Sequence, residues 1–527
     1  MATIHNPILR GFNPDPSILR VGDDYYIATS TFEWFPGVQI HHSKDLVHWE
    51  LVSHPLDRVS QLNMLGVDDS CGVWAPCLSY DKGTFYLIFT NVHSFLGMFK
   101  DTPNYLVTAK DIRGPWSEPI YLNSSGFDPS LFHDPSGKKY LVNMLDDYRT
   151  YQTGFGGIVL QEYSEAEGKL VGERINIFRG TSSGGVEGPH LYWHDGYYYL
   201  MTAEGETGYG HAVTLARSRS ITGPYETDPM LHTLTTRHLE GYGLQKAGHG
   251  SLIQAANGRW YIAHLCGRPL GEHKRCILGR ETSLQEVIWV DGWLRAADGT
   301  NRPALTVEIP DVDGVQNGSD LHEDFDGETW SIHLQSLRAP LGERASLTQR
   351  PGWLRLYGAE CPSSKFYQSL LARRQQSFVC EANTKLEFDP RHYQHLAGLT
   401  YYYNTQCYYY AYVTRDELLG RVVSLMACDY KVGSMPIGAG VQIPAEGAVW
   451  LKLNVDREKA WFSYSLDGTH YDRLGPVLDA TILSDDYFQE KGHCMFTGAF
   501  IGIACQDLAG DGCHADFDFF DYRELEA

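Results

Sequence analysis

Residues 128–144 read DPSLFHDPSGKKYLVNM: a carboxylate, a Pro-Ser pair, a turn at Asp134-Pro-Ser-Gly137, then an apolar run led by Tyr140. The same order returns four more times before residue 270. The other leads are Asp15-Pro-Ser-Ile, Trp74-Ala-Pro-Cys-Leu, Glu187-Gly-Pro-His-Leu and His249-Gly-Ser-Leu-Ile, followed by DDYYIATS, GTFYLIFT, GYYYLMTA and GRWYIAHL. From lead residue to strand aromatic the gap is eleven or twelve residues in every copy: Asp15 to Tyr26, Trp74 to Tyr86, Asp128 to Tyr140, Glu187 to Tyr198, His249 to Tyr261. A strand-built repeat of about 55 to 60 residues is the mark of a β-propeller. Equivalent blade positions meet around one axis, so three carboxylates, a tryptophan and a histidine should converge there.

Each copy continues into a second element with its own likeness, as in HHSKDLVHWELVSHPL, VTAKDIRGPWSEPIYL and LGRETSLQEVIWVDGWL. Strand, turn and strand in each element complete four short strands per repeat, which makes five blades over about residues 1–300. The stretch 300–322, TNRPALTVEIPDVDGVQNGSDLH, is a linker by its Pro, Gly, Asp and Asn content. Beyond it the five-fold pattern stops. Short alternating runs such as WLRLYG, AGLTYYYN, VWLKLNVD and ADFDFFDY predict a β-sandwich. The chain is therefore expected to be all-β: a five-bladed propeller over 1–310 followed by a sandwich over 323–527. The tyrosines at 401–403 and 408–410 fit ordinary sandwich strands better than a sugar-binding face.

Composition narrows the partners. With 527 residues the chain is too long for one ordinary core, and 43% hydrophobic with 20% charged residues is that of a soluble globular protein. A net charge of −22 argues against nucleic acid and for a small neutral substrate. Eleven cysteines without a C-x-x-C pair read as reduced thiols. No run of about 18 apolar residues spans a membrane, and MATIHNPILRG lacks a signal peptide's apolar core. The expected location is cytoplasmic.

Any single Asp-Pro-Ser is more often a turn than a catalyst. Recurrence at one blade position changes the balance, because a purely structural repeat has no need for Asp, Asp and Glu in three blades and Trp and His in the others. Two carboxylates across a cavity suit glycoside hydrolysis, one ionised to activate water and one protonated to assist the leaving oxygen. A third beside the acid raises its pKa.

These residues resemble glycoside hydrolase family 43, in its β-xylosidase branch. The motifs are NPDPS (13–17), STFEWFPGVQIHHSKDL (30–46), GVWAP (72–76), SGFDPSLF (125–132), VEGPHL (186–191), KAGHGS (246–251) and LGRET (278–282). The resemblance implies a five-bladed propeller with a concanavalin-like C-terminal sandwich, acting as an inverting exo-glycosidase and assembled as a homo-oligomer such as a tetramer. It makes Asp15 the general base, Glu187 the general acid, and Asp128 the residue that tunes and orients the acid. Arg280 would hold Asp128 and the substrate hydroxyls. His249 would sit on the cavity floor, Trp74 and Phe32 would wall the sugar pocket, and Phe496 in FTGAF would reach its rim. No cofactor is required; a structural calcium near Glu323 and Asp518 is an expectation of low weight. The chain departs from the pattern in the short stretch LGEHKRCI (270–277) and in NMLDDYRTYQTGFGG (143–157), both bordering the leaving-group side.

The leading expectation is an exo-acting β-D-xylosidase on short β-1,4-xylo-oligosaccharides with α-L-arabinofuranosidase side activity. An enzyme that is principally an arabinofuranosidase is the alternative, separated by kcat/KM on the two aryl glycosides. A retaining fructosidase also uses five blades, but it would carry Asn-Asp-Pro and Glu-Cys where this chain has Asn-Pro-Asp-Pro and Glu-Gly-Pro. A carbohydrate-binding propeller scaffold would turn over no glycoside at all.

Overall fold

The computed structural model describes residues 2–525, built almost wholly of strands and turns, with one α-helix at Asp485–Glu490 among the described residues. They divide into two compact units. The first comprises 2–33, 37–268 and 280–317; the second comprises 34–36, 269–279 and 318–525. None of the described helices is long and apolar enough to cross a membrane.

The first unit is a five-bladed propeller. Each repeat forms one four-stranded antiparallel sheet, with innermost strands Ser17–Val21, Gly72–Asp81, Ser130–His133, Glu187–His194 and Gln245–Gln254. Each innermost strand touches the next, and the fifth touches the first. Side chains stitch these strands together near the axis. The Leu78 N–H donates to Ser17 Oγ (3.0 Å), Ile18 N–H to Ser251 Oγ (3.1 Å) and Leu252 N–H to the Tyr192 hydroxyl (2.8 Å).

The fixed aromatic of each repeat has a structural reason. It lies on the second strand and faces a seam between blades. Tyr26 meets Phe85 edge-on at 5.7 Å, Tyr86 meets His133 at 5.1 Å, and Tyr198 meets Phe132 at 6.1 Å. In two blades its polar tip also finds a partner across the seam: Tyr86 donates to Glu165 (2.6 Å) and Tyr198 to Asp134 (2.9 Å). Tyrosine suits a place that is apolar along the ring and polar at its end.

The ring is closed by the first residues of the chain. Ala2–His5 pairs antiparallel with Thr306–Ile309, Ala2 opposite Ile309 and His5 opposite Thr306. Asn6 then pins this strap to blade five, donating from Nδ2 to Leu284 O (2.8 Å) and accepting the Leu284 N–H at Oδ1 (2.9 Å). The composition of 300–322 thus reads as linker but contains a strand. Thr306–Ile309 alternates exposed and buried, and Val307 and Ile309 join an apolar cluster with Ile4, Ile8 and Tyr261.

The second unit is a sandwich of two antiparallel sheets. One centres on Val379–Phe388, flanked by His514–Glu524 and Val449–Asp456; the other on His395–Asn404, flanked by Phe500–Asp507 and Cys407–Asp416. Val379–Phe388 alternates half-buried and buried along its whole length, the period-two signature of a strand with one face on a core. That core includes Leu386, Leu399, Val423, Leu451, Phe462, Ile501 and Phe517. Tyr401, Tyr402, Tyr403, Tyr408, Tyr409 and Tyr410 are all buried strand residues, so they present no sugar-binding face.

Two short excursions of the chain also belong to this unit. Trp34 is fully buried and stacks on Phe500, centroids 3.7 Å apart at 11°. Arg275 forms a bidentate pair with Glu490 (3.0 and 2.7 Å). Removing a buried indole leaves a cavity that costs about 3–5 kcal/mol. Trp34→Ala should therefore lower the urea midpoint of unfolding clearly; an unchanged midpoint would mean that the Trp34–Phe500 stack contributes nothing.

Candidate active site

The repeat leads enter their strands through a backbone turn that ordinary residues avoid. Asp15 (φ 55°), Asp128 (φ 54°) and His249 (φ 48°) are all left-handed. Such a conformation costs a non-glycine residue about 1–3 kcal/mol and concentrates at functional sites. In blade four Glu187 opens the strand and Gly188 takes the left-handed turn at φ 56°. A Cβ on Gly188 would stand 3.0 Å from the His249 ring, so glycine is required by space as well as by φ.

These turns bring the leads of blades one, three, four and five together. Asp15 is buried and accepts two hydrogen bonds, from Ser30 Oγ at Oδ2 (2.7 Å) and from Arg280 Nη1 at Oδ1 (2.8 Å). The His249 ring lies beside it, Nδ1 3.7 Å from Asp15 Oδ1. Asp128 is also buried and accepts the Gly188 N–H at Oδ2 (3.1 Å), a bond that ties it to the residue after Glu187. Arg280 Nη1 also donates to Thr207 Oγ1 (3.3 Å), and its guanidinium lies 5.3 Å from the centre of the Phe32 ring. The resemblance gave Arg280 to Asp128. Here Arg280 hydrogen-bonds Asp15 across the blade-five to blade-one seam, and its charge also bears on Asp128.

Burial and mutual repulsion then sort the carboxyls. Glu187 is raised well above the ordinary carboxyl range by burial first, then by the charges of Asp128 and Asp15, with Arg280 opposing. Asp128 is raised by burial and by Asp15, while the Gly188 N–H and Arg280 pull the other way. Asp15 has a hydroxyl and a guanidinium aimed at it. Burial holds His249 below the ordinary imidazole range against the pull of Asp15.

An apolar wall adjoins the carboxyls. The Trp74 indole donates to Ser70 O (2.8 Å), and its ring meets Phe32, Phe95 and Phe127 at 5.9, 5.4 and 5.3 Å. Phe32 is fixed by a reciprocal backbone pair with Val73, both bonds 3.0 Å. Phe127 directly precedes Asp128 in the chain. One step further along the innermost strands lies an axial cavity of about 540 Å³, lined at Ser17, Cys77, Ser130, His190 and Ser251 and not by the five leads.

Phe496 belongs to the second unit, where it is half-buried ahead of the strand Phe500–Asp507. Glu323 and Asp518 do not fit a calcium site. Glu323 accepts the N–H groups of Phe325 (2.9 Å) and Ser331 (2.6 Å), and Asp518 pairs with Lys385 (2.9 Å). Another group with the right atoms is His392, His395 and Asp511. There the Nδ1 atoms of His395 and His392 accept backbone N–H groups from Arg391 and Gln394 (both 3.3 Å). His392 Nε2 hydrogen-bonds Asp511 (3.1 Å), and His395 Nε2 lies 3.4 Å from both Asp511 and Asp507.

Sequence reasoning missed Ser30, Thr207 and Phe127. Ser30 had a signal. In the hairpin of blade one Ser17 lies opposite Ala28, and counting two residues outward puts Ser30 opposite Asp15. Thr207 had none, because it comes from an irregular loop after the strand Tyr197–Glu204.

Residues 4–294 match the family described as Glycosyl hydrolases family 43, and residues 322–523 match the Beta xylosidase C-terminal Concanavalin A-like domain. Xylosidase/arabinosidase 43B of Humicola insolens is 50% identical over 100% of this chain and 98% of its own. A β-xylosidase of Bacillus subtilis (strain 168) is 50% identical over 99% of both chains. The crystal structure of xylan β-1,4-xylosidase from Bacillus halodurans C-125 aligns with a TM-score of 0.96 at 53% identity, covering 99% of this chain and 100% of that one. Blades, carboxyl cluster and sandwich thus stand together in a chain that belongs to glycosyl hydrolase family 43.

Proposed function

We propose that this chain is an inverting, exo-acting β-D-xylosidase that releases xylose from the non-reducing end of short β-1,4-xylo-oligosaccharides, with α-L-arabinofuranosidase as a side activity. The observation that carries this reading is the contrast between Asp15, which accepts from Arg280 and Ser30, and Glu187, whose carboxyl is raised by burial and by its two acidic neighbours. The relatives named β-xylosidase and xylosidase/arabinosidase at 50% identity support the choice of sugar.

In the proposed reaction Asp15 takes a proton from water as that water attacks the anomeric carbon. Glu187 gives its proton to the glycosidic oxygen as the bond to the leaving sugar breaks. Positive charge grows on the sugar ring at the transition state, close to carboxylates that stabilise it. Each turnover leaves one proton more on Asp15 and one fewer on Glu187, and exchange with solvent restores both. Asp128 acts through Glu187: its charge keeps the acid's proton in place, and its bond to the Gly188 N–H holds the two carboxyls in register. Trp74 and Phe32 give the flat, apolar side of xylose a wall. All eleven cysteines are thiols, which supports work in a reducing compartment, the cytoplasm. Assembly as a homo-oligomer is part of the same proposal and rests on the family resemblance.

A panel of aryl glycosides tests the reading. kcat/KM should be higher on aryl β-D-xylopyranosides than on aryl α-L-arabinofuranosides; the reverse order makes arabinofuranosidase the principal activity. On the same panel Glu187→Ala should reduce turnover of xylobiose by about 10²- to 10⁴-fold, the usual worth of a general acid, while xylosides of acidic phenols lose far less. Equal losses on every leaving group would remove Glu187 from the acid role.

The pH profile tests Asp128. Its charge raises the pKa of Glu187, and the acid must be protonated to act. Asp128→Asn should therefore move the alkaline limb of the kcat/KM profile to lower pH. A limb that stays in place or moves to higher pH would contradict the assigned coupling.

A further inference from the structure

Beside the carboxyl cluster the first unit holds aromatic rings out to solvent. Phe99 is 60% exposed and Tyr148 50%, yet they pack on each other with centroids 4.8 Å apart at 40°. Tyr151, 76% exposed, lies on the same loop as Tyr148. Large apolar groups held out together mark a surface that something covers.

The two loops that carry these rings start at the site. The strand Lys139–Asp146 runs beside the segment that leads into Asp128: the Met144 N–H donates to Phe127 O (3.1 Å) and the Asp146 N–H to Ser125 O (2.9 Å). Tyr148 follows two residues after that last bond. The other loop closes on itself between Ser94 and Asp101. At its base Phe95 packs against Trp74 at 5.4 Å, so the loop grows out of the apolar wall. Lys100 joins the two loops through Asp146 (2.6 Å) and lies 6.0 Å from the centre of the Phe127 ring. The neighbouring charges pair with one another, Arg149 with Asp147 and His93 with Asp101 (3.1 Å). A neutral ligand suits such a surface better than an ionic one.

We propose that Phe99 and Tyr148 form a stacking shelf for the leaving-group side of a xylo-oligosaccharide, under sugars beyond the one next to the scissile bond. This rests on the xylosidase reading given above. Xylopyranose has no exocyclic hydroxymethyl group and carries its hydroxyls equatorially, so both its faces are flat and lined with C–H. Such a face packs on an exposed aromatic ring as a nucleobase or another ring does. Continuity from Phe127 and Trp74 through Phe95 and Lys100 gives the shelf its direction, away from the acid.

The test compares kcat/KM on xylotetraose and xylobiose for the full-length enzyme, Phe99→Ala, Tyr148→Ala and Tyr148→Phe. Only the longer substrate reaches past the first leaving-group sugar. The ratio of xylotetraose to xylobiose should fall about five- to twentyfold in each alanine variant, the usual worth of one stacked ring, and stay at the starting value in Tyr148→Phe. An unchanged ratio in the alanine variants would overturn the shelf. So would a loss in Tyr148→Phe as large as in Tyr148→Ala, which would point to the hydroxyl. Sedimentation velocity on the same variants adds a third way to fail: a changed oligomeric state with an unmoved ratio makes the patch a contact between copies of this chain. If the unaltered enzyme cleaved no xylo-oligosaccharide of any length, the xylosidase reading itself would fall, and with it the shelf.

Discussion

One guanidinium set beside three clustered carboxyls, Asp15 and Asp128 buried and Glu187 half-buried, organises this site. Three negative charges cannot share a buried pocket, because each raises the others' protonation. Arg280 breaks the symmetry. It hydrogen-bonds Asp15 at 2.8 Å, and its charge lowers both Asp128 and Glu187 against larger opposing effects. Phe32 beneath the guanidinium and Thr207 beside it fix where that charge points.

The propeller makes this juxtaposition achievable. Asp15 and Arg280 are 265 residues apart, yet the closure of blade five on blade one sets them side by side. The strap of residues 2–9 over blade five secures that seam. Left-handed turns at Asp15, Asp128 and His249 then place the leads at the head of the innermost strands, in a conformation that hydrogen bonding must hold. Polar stitches one step along, at Ser17, Ser251 and Tyr192, keep those strands from sliding. The catalytic geometry is thus a property of the whole ring, not of any one blade.

Much of this is legible in the sequence, because the repeat is local. Lead, turn and aromatic recur within a dozen residues, and Tyr26, Tyr86 and Tyr198 each pack at a seam between blades. What the sequence hides is pairing at a distance. Nothing near LGRET tells which aspartate Arg280 will choose. Nothing near Trp34 reveals that its ring stacks on Phe500, or that Arg275 reaches a glutamate 215 residues on. Thr306–Ile309 was masked by the turn residues around it; its partner is the first strand of the chain. Glu323 looks like a free cation ligand until its two backbone donors are seen.

The account centres on Asp15 acting on water rather than on sugar. Proton NMR of the first product released from a β-xyloside, recorded before mutarotation, tests this directly. Attack by water activated at Asp15 predicts α-xylose as the first anomer. β-Xylose appearing first would mean that a carboxylate attacks the sugar itself, and would contradict the roles assigned to Asp15 and Glu187.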